Sequence, residues 1–138
     1  MKFSVKSDYA ARAVLSLARS YPARRACKVE ELAAEHGIPA NYLLQILIQL
    51  KAKHLVQSQR GKVGGYLLAK PPGEISLGDV VRALHGPVFD SPATTDPRCP
   101  LELRAAWQGL GRQMQQAADA ITFQDLLEQS GKAKMYEI

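Results

Sequence analysis

The first half of the chain places three amide side chains, Asn41, Gln45 and Gln49, at intervals of four residues. Residues at that spacing lie along one face of an α-helix. An amide group both donates and accepts hydrogen bonds, so Asn and Gln can pair bidentately with the edge of adenine in the major groove of DNA. We predict that these three residues and their neighbour Tyr42 contact base edges or lie close to them.

Positive charge and glycine follow this amide face along the chain. Two lysines end the same helical pattern, and the segment RGKVGG at 60–65 adds two more cations and three glycines. Cations contact phosphates or enter a minor groove, and glycines allow a backbone to approach a duplex closely. The further DNA-contacting residues predicted from this segment are Lys51, Lys53, Arg60, Lys62, Gly64 and Gly65.

A helix-turn-helix is predicted to carry the amide face. Apolar residues recur at helical spacing from Val29, and Gly37 is expected to end this first helix in a left-handed conformation. Pro39 fits the first turn of the second helix, which we predict over 40–54. Its buried stripe is expected to hold Tyr42 or Leu43, then Ile46, Leu47 and Leu50. An earlier helix, predicted over 8–20 with Ser7 as its N-cap, would pack on the pair.

A two-stranded hairpin is predicted directly after the second helix. The segments 55–59 and 66–69 have the character of strands, and the basic glycine-rich turn joins them. A basic hairpin next to a candidate recognition helix is typical of a winged helix. The alternative is a solvated hairpin tip with incidental charge.

The charge of the chain is divided unevenly between its halves. Residues 1–70 hold twelve Lys/Arg and four Asp/Glu, a balance of +8, whereas residues 71–138 hold six and nine, a balance of −3. A basic half is what attraction to phosphate requires. No apolar run could span a bilayer, and no phosphate-binding loop, nucleophile triad or paired-carboxylate pattern is present. We therefore expect a cytoplasmic protein that is not an enzyme and has no membrane partner.

Beyond these local patterns, the segment NYLLQILIQLKAKHLVQSQRGKVGGYLLAKPPGEISLGDVVRALHG at 41–86 resembles the Rrf family of bacterial winged-helix transcriptional regulators. The opening MKFSVKSDYAARAVLSLA and the later ITFQDLL are similar to the family as well, so the resemblance covers nearly the whole chain. It implies a dimeric transcription factor, usually a repressor. It also implies that the N-terminal end, here Lys2, approaches DNA.

The resemblance also raises the question of a cofactor, because many members of the family sense signals through an iron–sulfur cluster held by three cysteines. In the Pro-rich segment 87–100, the sensor-loop position, this chain has only Cys99. Leu101 falls at the family's third cysteine, and Arg104 falls where some members have a histidine. A cluster normally needs four ligands, mostly thiolates. We therefore expect no cofactor of the usual kind.

The signal is left open by the sequence. Cys99 is a candidate redox sensor, because Arg98 beside it could raise its reactivity. A small-molecule effector or a regulatory protein acting at the Pro-rich loop is the other candidate.

A long helix predicted over 101–120 carries apolar residues spaced alternately four and three apart, which is a heptad seam. Such a seam could pack on its own domain, but it is more readily explained by pairing with a second copy. The predicted dimer-interface residues are Leu103, Trp107, Leu110, Met114, Ala117 and Ile121. Thr122 is expected to cap a short last helix, followed by a loose tail from Lys132.

Together these patterns predict a mainly α fold: a winged helix-turn-helix (three-helix core plus two-stranded wing) with a long C-terminal dimerisation helix. The predicted divisions are 1–86 for the DNA-binding domain, 87–100 for the Pro-rich loop, and 101–138 for the dimerisation helix, last helix and tail. The predicted function is a homodimeric repressor at a palindromic operator in double-stranded DNA. A winged-helix protein-interaction module and an RNA-binding winged helix stay open as alternatives.

Overall fold

The computed structural model describes residues 3–62 and 64–136, with side chains described as far as Gly131. Within these ranges a small antiparallel sheet is set among helices, and the predicted mainly α winged helix-turn-helix is confirmed. In chain order the elements are α1 (Val5–Ser20), α2 (Val29–His36), α3 (Ala40–Ala52), β1 (Val56–Gln59), β2 (Gly65–Leu68), α4 (Leu77–His85), α5 (Leu101–Asp119) and α6 (Phe123–Tyr136).

The helix-turn-helix forms as its sequence signals indicate. Gly37 ends α2 with φ +65°, and its N–H donates to the carbonyl of Ala33. Glycine adopts this left-handed backbone without the steric penalty of a Cβ. Ile38 is buried directly after it, and α3 then buries the predicted apolar stripe: Leu43, Ile46, Leu47 and Leu50.

The beginning of α1 differs from its prediction. The helix begins at Val5 rather than Asp8, because Ser4 is the N-cap and its hydroxyl accepts a 3.0 Å hydrogen bond from the N–H of Ser7. Ser7, the predicted cap, lies inside the helix and is buried. Serine at either position could supply the capping oxygen, so the local sequence does not choose between them.

The ends of α3 and the boundaries of the wing also differ from their predictions. α3 ends at Ala52 rather than at residue 54, and Pro39 is its N-cap rather than part of its first turn. His54 has φ +61°, which turns the chain out of the helix, and β1 begins at Val56. The return strand is shifted by one residue, so that Val56 pairs with Leu68 and Gln59 pairs with Gly65.

The last helix belongs to the same core as the winged helix. Phe123, the first residue of α6, is fully buried, and its N–H donates 3.0 Å to the carbonyl of Ile75. The N–H of Leu77 donates 2.9 Å to the carbonyl of Ile121 in return. The short last helix and loose tail from Lys132 were wrongly predicted, since α6 continues to Tyr136. The proposed divisions at residues 86 and 100 stay predictions.

A polar network fastens α5 to α4. Ser76 and Asp79 form a capping box at the start of α4, as their spacing indicates. Arg82 bridges the two helices, donating 3.1 Å to Asp79 and 2.6 Å to Asp119. Burial alone would raise the pKa of Asp79, but hydrogen bonds from Ser76 and Arg82 outweigh it and leave that pKa below its usual value. The network therefore holds the C-terminal end of α5 against α4.

Candidate nucleic-acid interface

The outward face of α3 carries the predicted amide side chains. Asn41, Gln45 and Gln49 are exposed, because the four buried residues of the helix all point the other way. Tyr42 is only half-buried and its ring packs edge-on against Tyr9, with centroids 6.0 Å apart. The structure thus brings the three amides together on one open surface and places Tyr42 at its border.

Two apolar residues also lie on this surface and were not among the predicted contacts. Leu44 is 39% exposed and Ile48 is 52% exposed. These two residues are four positions apart and fall between the buried positions of the helix. This spacing alone could have placed them on the outer face.

The wing is attached to the body of the protein at its inner edge. The backbone of Cys27, just before α2, exchanges two hydrogen bonds of 2.8 Å with Tyr66 of β2. Gly65 lies against this bridge with φ +145°, and a Cβ built there would meet the carbonyl of Cys27. Gly65 is therefore required for packing within the protein, a role that is separate from the predicted approach to DNA. Sequence reasoning did not assign Cys27 any part in the wing.

The predicted cations follow the open surface from helix to wing. Lys51 donates 2.8 Å from its Nζ to the hydroxyl of Ser58, which ties the end of α3 to β1. Lys53, Arg60 and Lys62 are exposed, the last two at the tip of the wing. Lys2, also a predicted contact, lies outside the described residues.

No acidic residue occurs between Glu35 and Glu74, a stretch that holds five lysines and arginines. This stretch includes α3, both strands and the turn between them. The surface is therefore electrostatically suited to a polyanion. Amides in its centre and cations at its rim can respectively hydrogen-bond base edges and pair with phosphates.

The heptad seam of α5 is largely uncovered in the single chain. The side chains of Leu103, Leu110 and Ile121 are each at least 40% exposed. Trp107 is 36% exposed and stacks at 6.3 Å on Phe89, which lies over Gly111. Below this stack, Met114, Ala117 and Ile121 line an apolar groove of about 500 Å³ shared with α1 and α4. Exposed apolar residues grouped in this way are typical of an interaction surface.

The residues near the sensor-loop position do not fit an iron–sulfur cluster held by one chain. Cys99 is half-buried before α5, whereas Cys27 is placed at the wing and donates to Ser20. In the described part of the chain no three His, Cys, Asp or Glu residues come together as metal ligands. Arg104 stands where the resemblance places a histidine in some members; its Nη2 donates 2.7 Å to the carbonyl of Asp96, and its buried Nε has no acceptor among the described residues. A guanidinium stays protonated and has no acceptor atom, so Arg104 cannot serve as a metal ligand.

The redox prediction for Cys99 relied on Arg98, and that guanidinium has another partner. Arg98 is 89% exposed and pairs with the carboxylate of Asp96 at 3.1 Å. This hydrogen bond lowers the pKa of Asp96. A sensing role for Cys99 stays a prediction.

None of the helices in the described ranges is both long and apolar enough to cross a membrane.

Comparison with known proteins gives this geometry a family context. Residues 3–129 match the model of the family described as Rrf2, iron-dependent transcriptional regulator. The solved structure titled T. potens IscR has a TM-score of 0.77 and 30% identity, covering 96% of this chain and 90% of that one. The structure of CymR, the global cysteine regulator of B. subtilis, has a TM-score of 0.80 and 27% identity, covering 91% and 95%.

A curated relative from Mycobacterium tuberculosis, named as an HTH-type transcriptional regulator, is 44% identical over 88 residues. That match covers 64% of this chain but only 54% of the relative. The chain therefore spans about half the length of this relative.

Proposed function

The chain belongs to the Rrf2 family of transcriptional regulators, and from this premise we propose that it is a DNA-binding repressor acting as a homodimer. The recognition helix is α3, and the wing is β1, β2 and the turn between them. The observation that carries the proposal is the outward face of α3, where exposed amides lie within a segment, 36–73, that has five lysines and arginines and no acidic residue. The protein acts in the compartment that holds the DNA.

The dimer is proposed from the seam of α5. Its apolar residues repeat as in a coiled coil, and several are exposed in the single chain. They continue into the groove between α1, α4 and α5, so a second copy would cover both surfaces together. A two-fold dimer presents two copies of α3, which would enter successive major grooves about 34–36 Å apart. Such a dimer binds a palindromic operator, and it represses by occluding a promoter.

DNA reading by α3 is tested with duplexes enriched by this protein from a random-sequence pool. Gln45→Ala removes an amide from the centre of the reading face, and Gln124→Ala removes an exposed amide from α6 as the matched control. A bidentate amide–base pair contributes about 1–3 kcal/mol of discrimination. We expect Gln45→Ala to lose about tenfold or more in affinity for the enriched duplex in an anisotropy titration. Equal affinity of the two variants would refute α3 as the reader, and preference for RNA duplexes would favour the RNA-binding alternative.

The dimer is tested by sedimentation equilibrium. Leu110→Lys places a charge in the seam, whereas Leu101→Lys places one on α5 at a residue that is 75% exposed and outside the seam. We expect the first variant to dissociate to monomers and the second to stay dimeric. A wild-type monomer, or a dimer unaffected by Leu110→Lys, would rule out this interface.

We propose in addition that the protein works without an iron–sulfur cluster of the usual kind. The support is the sequence at the sensor-loop position, where Cys99 is the one cysteine of segment 87–100, and Leu101 and Arg104 stand where the resemblance places the third cysteine and, in some members, a histidine. An absorption spectrum with iron and sulfide analysis, on protein purified without oxygen, tests this. A brown protein with stoichiometric iron would refute it, and Cys99→Ser would show whether that residue is a ligand.

A further inference from the structure

The outward face of α3, which is proposed to read DNA, carries apolar side chains among its amides. At about 100° per residue, Asn41, Gln45 and Ile48 all lie within about 30° of the direction opposite the buried stripe. Ile48 is the more exposed of the two apolar residues, at 52%, and Leu44 lies one turn before it at 39%. A solvent-facing isoleucine in this central place is an apolar surface presented to whatever α3 binds.

The major groove offers one apolar group to such a surface, the C5-methyl of thymine. Guanine is most often read by arginine or lysine, and α3 has neither between Ala40 and Leu50. The first cation, Lys51, donates to Ser58 of the wing. From Ala40 to Leu50 the helix therefore carries side chains suited to adenine and thymine, and none of the type that most often reads guanine.

Resting on the proposed function, we infer that α3 reads A·T base pairs through thymine methyls as well as adenine edges. Ile48, flanked by Leu44, packs against the methyl groups, and Asn41 and Gln45 hydrogen-bond to adenine. The operator half-site is accordingly rich in A·T pairs where α3 enters the groove.

The surroundings of Ile48 favour DNA over an apolar protein partner. Its neighbours on the open face are amides, and the segment from Glu35 to Glu74 has cations but no acidic residue between its ends. A polyanion with scattered methyl groups matches that mixture better than an apolar protein groove does.

The test uses the full chain and the duplex that it enriches from a random pool, synthesised with thymine or with uracil at each half-site position. Uracil differs from thymine only by the missing methyl. We expect wild-type affinity to fall about fourfold for each contacted methyl that is removed. Ile48→Ala should bind the thymine and uracil duplexes alike, whereas Ile48→Val should keep most of the difference. Alanine at this exposed helical site is a better helix former than isoleucine, so folding is retained.

The outcomes separate this inference from the function on which it rests. Equal binding of thymine and uracil duplexes by the wild type would overturn it, as would enriched half-sites dominated by G·C pairs. A uracil penalty that persists in the double variant Ile48→Ala/Leu44→Ala would also overturn it, since other residues would then be reading the methyls. In each of these three outcomes the protein would still have enriched a DNA sequence, so the proposed function would stand. Failure to enrich any sequence would instead refute the proposed function and this inference with it.

Discussion

Replacing Gly65 with alanine should detach the wing from the body of the protein. A Cβ at this position meets the carbonyl of Cys27, and the backbone has φ +145°, which L side chains rarely adopt. Neither conflict can be relieved by rotating a side chain, because both involve backbone atoms. The strand must therefore move, and the two hydrogen bonds between Cys27 and Tyr66 should break.

The expected loss of unfolding free energy combines the broken hydrogen bonds, the backbone strain and a smaller entropy effect in the unfolded chain. Two neutral backbone hydrogen bonds contribute about 1 kcal/mol each, and strain at positive φ costs about 1–3 kcal/mol. The lower entropy of the unfolded alanine chain offsets about 0.5–1 kcal/mol. The net loss of unfolding free energy is therefore about 2–4.5 kcal/mol. Gly61→Ala is the matched control, because Gly61 has φ +111° and no atom of the described residues lies within 4 Å of its Cβ position. It carries only the strain and the entropy offset, so we expect a loss of about 0–2.5 kcal/mol, which is about 2 kcal/mol less than for Gly65→Ala.

The assay is urea unfolding of the wild type and the two variants at one protein concentration, since dimer stability depends on concentration. A DNA titration below the unfolding transition then reports the wing itself. We expect Gly65→Ala to weaken binding more than Gly61→Ala, because the whole wing loses its anchor. If the two variants were equally stable, the bridge to Cys27 would not hold the wing and the reasoning would be refuted.

Three further predictions follow from other elements. Arg60→Ala should weaken binding to all duplexes and reduce the salt slope of the affinity by about one, and an unchanged slope would remove Arg60 from the phosphate contacts. Phe123→Ala should lower the free energy of unfolding by about 3–5 kcal/mol in urea, whereas a small change would mean that α6 is not part of the core. Asp79 contributes stability that is present above pH 3.8 and is lost as the pH falls below it, because its pKa is lowered in the folded chain. Acid titration of unfolding should show this loss in the wild type and a shallower slope in Asp79→Asn.

Local sequence signals were enough for the helices and their faces. Gly37 acts within one turn of chain, so its role could be predicted without knowing the rest of the fold. The buried stripe of α3 was predicted for the same reason, since its period depends only on the helix. The amide face was then fixed as the side opposite that stripe.

The ends of the elements were less predictable from sequence. Ser4 and Ser7 are equally good capping residues, and only the packing of α1, which buries Ser7, decides between them. The positive φ of His54 has no strong signal in the residues around it.

The sequence by itself determined that the chain forms a winged helix-turn-helix with a basic, amide-bearing surface, because periodicity, caps and charge are properties of neighbouring residues. The tertiary structure decided which distant segments complete it. Cys27 pairs with Tyr66 across 39 positions of chain, and Phe123 is buried against Ile75. Contacts of this kind depend on the path of the whole chain, and no local pattern encodes them. The anchor of the wing and the place of α6 were therefore visible only in the folded molecule.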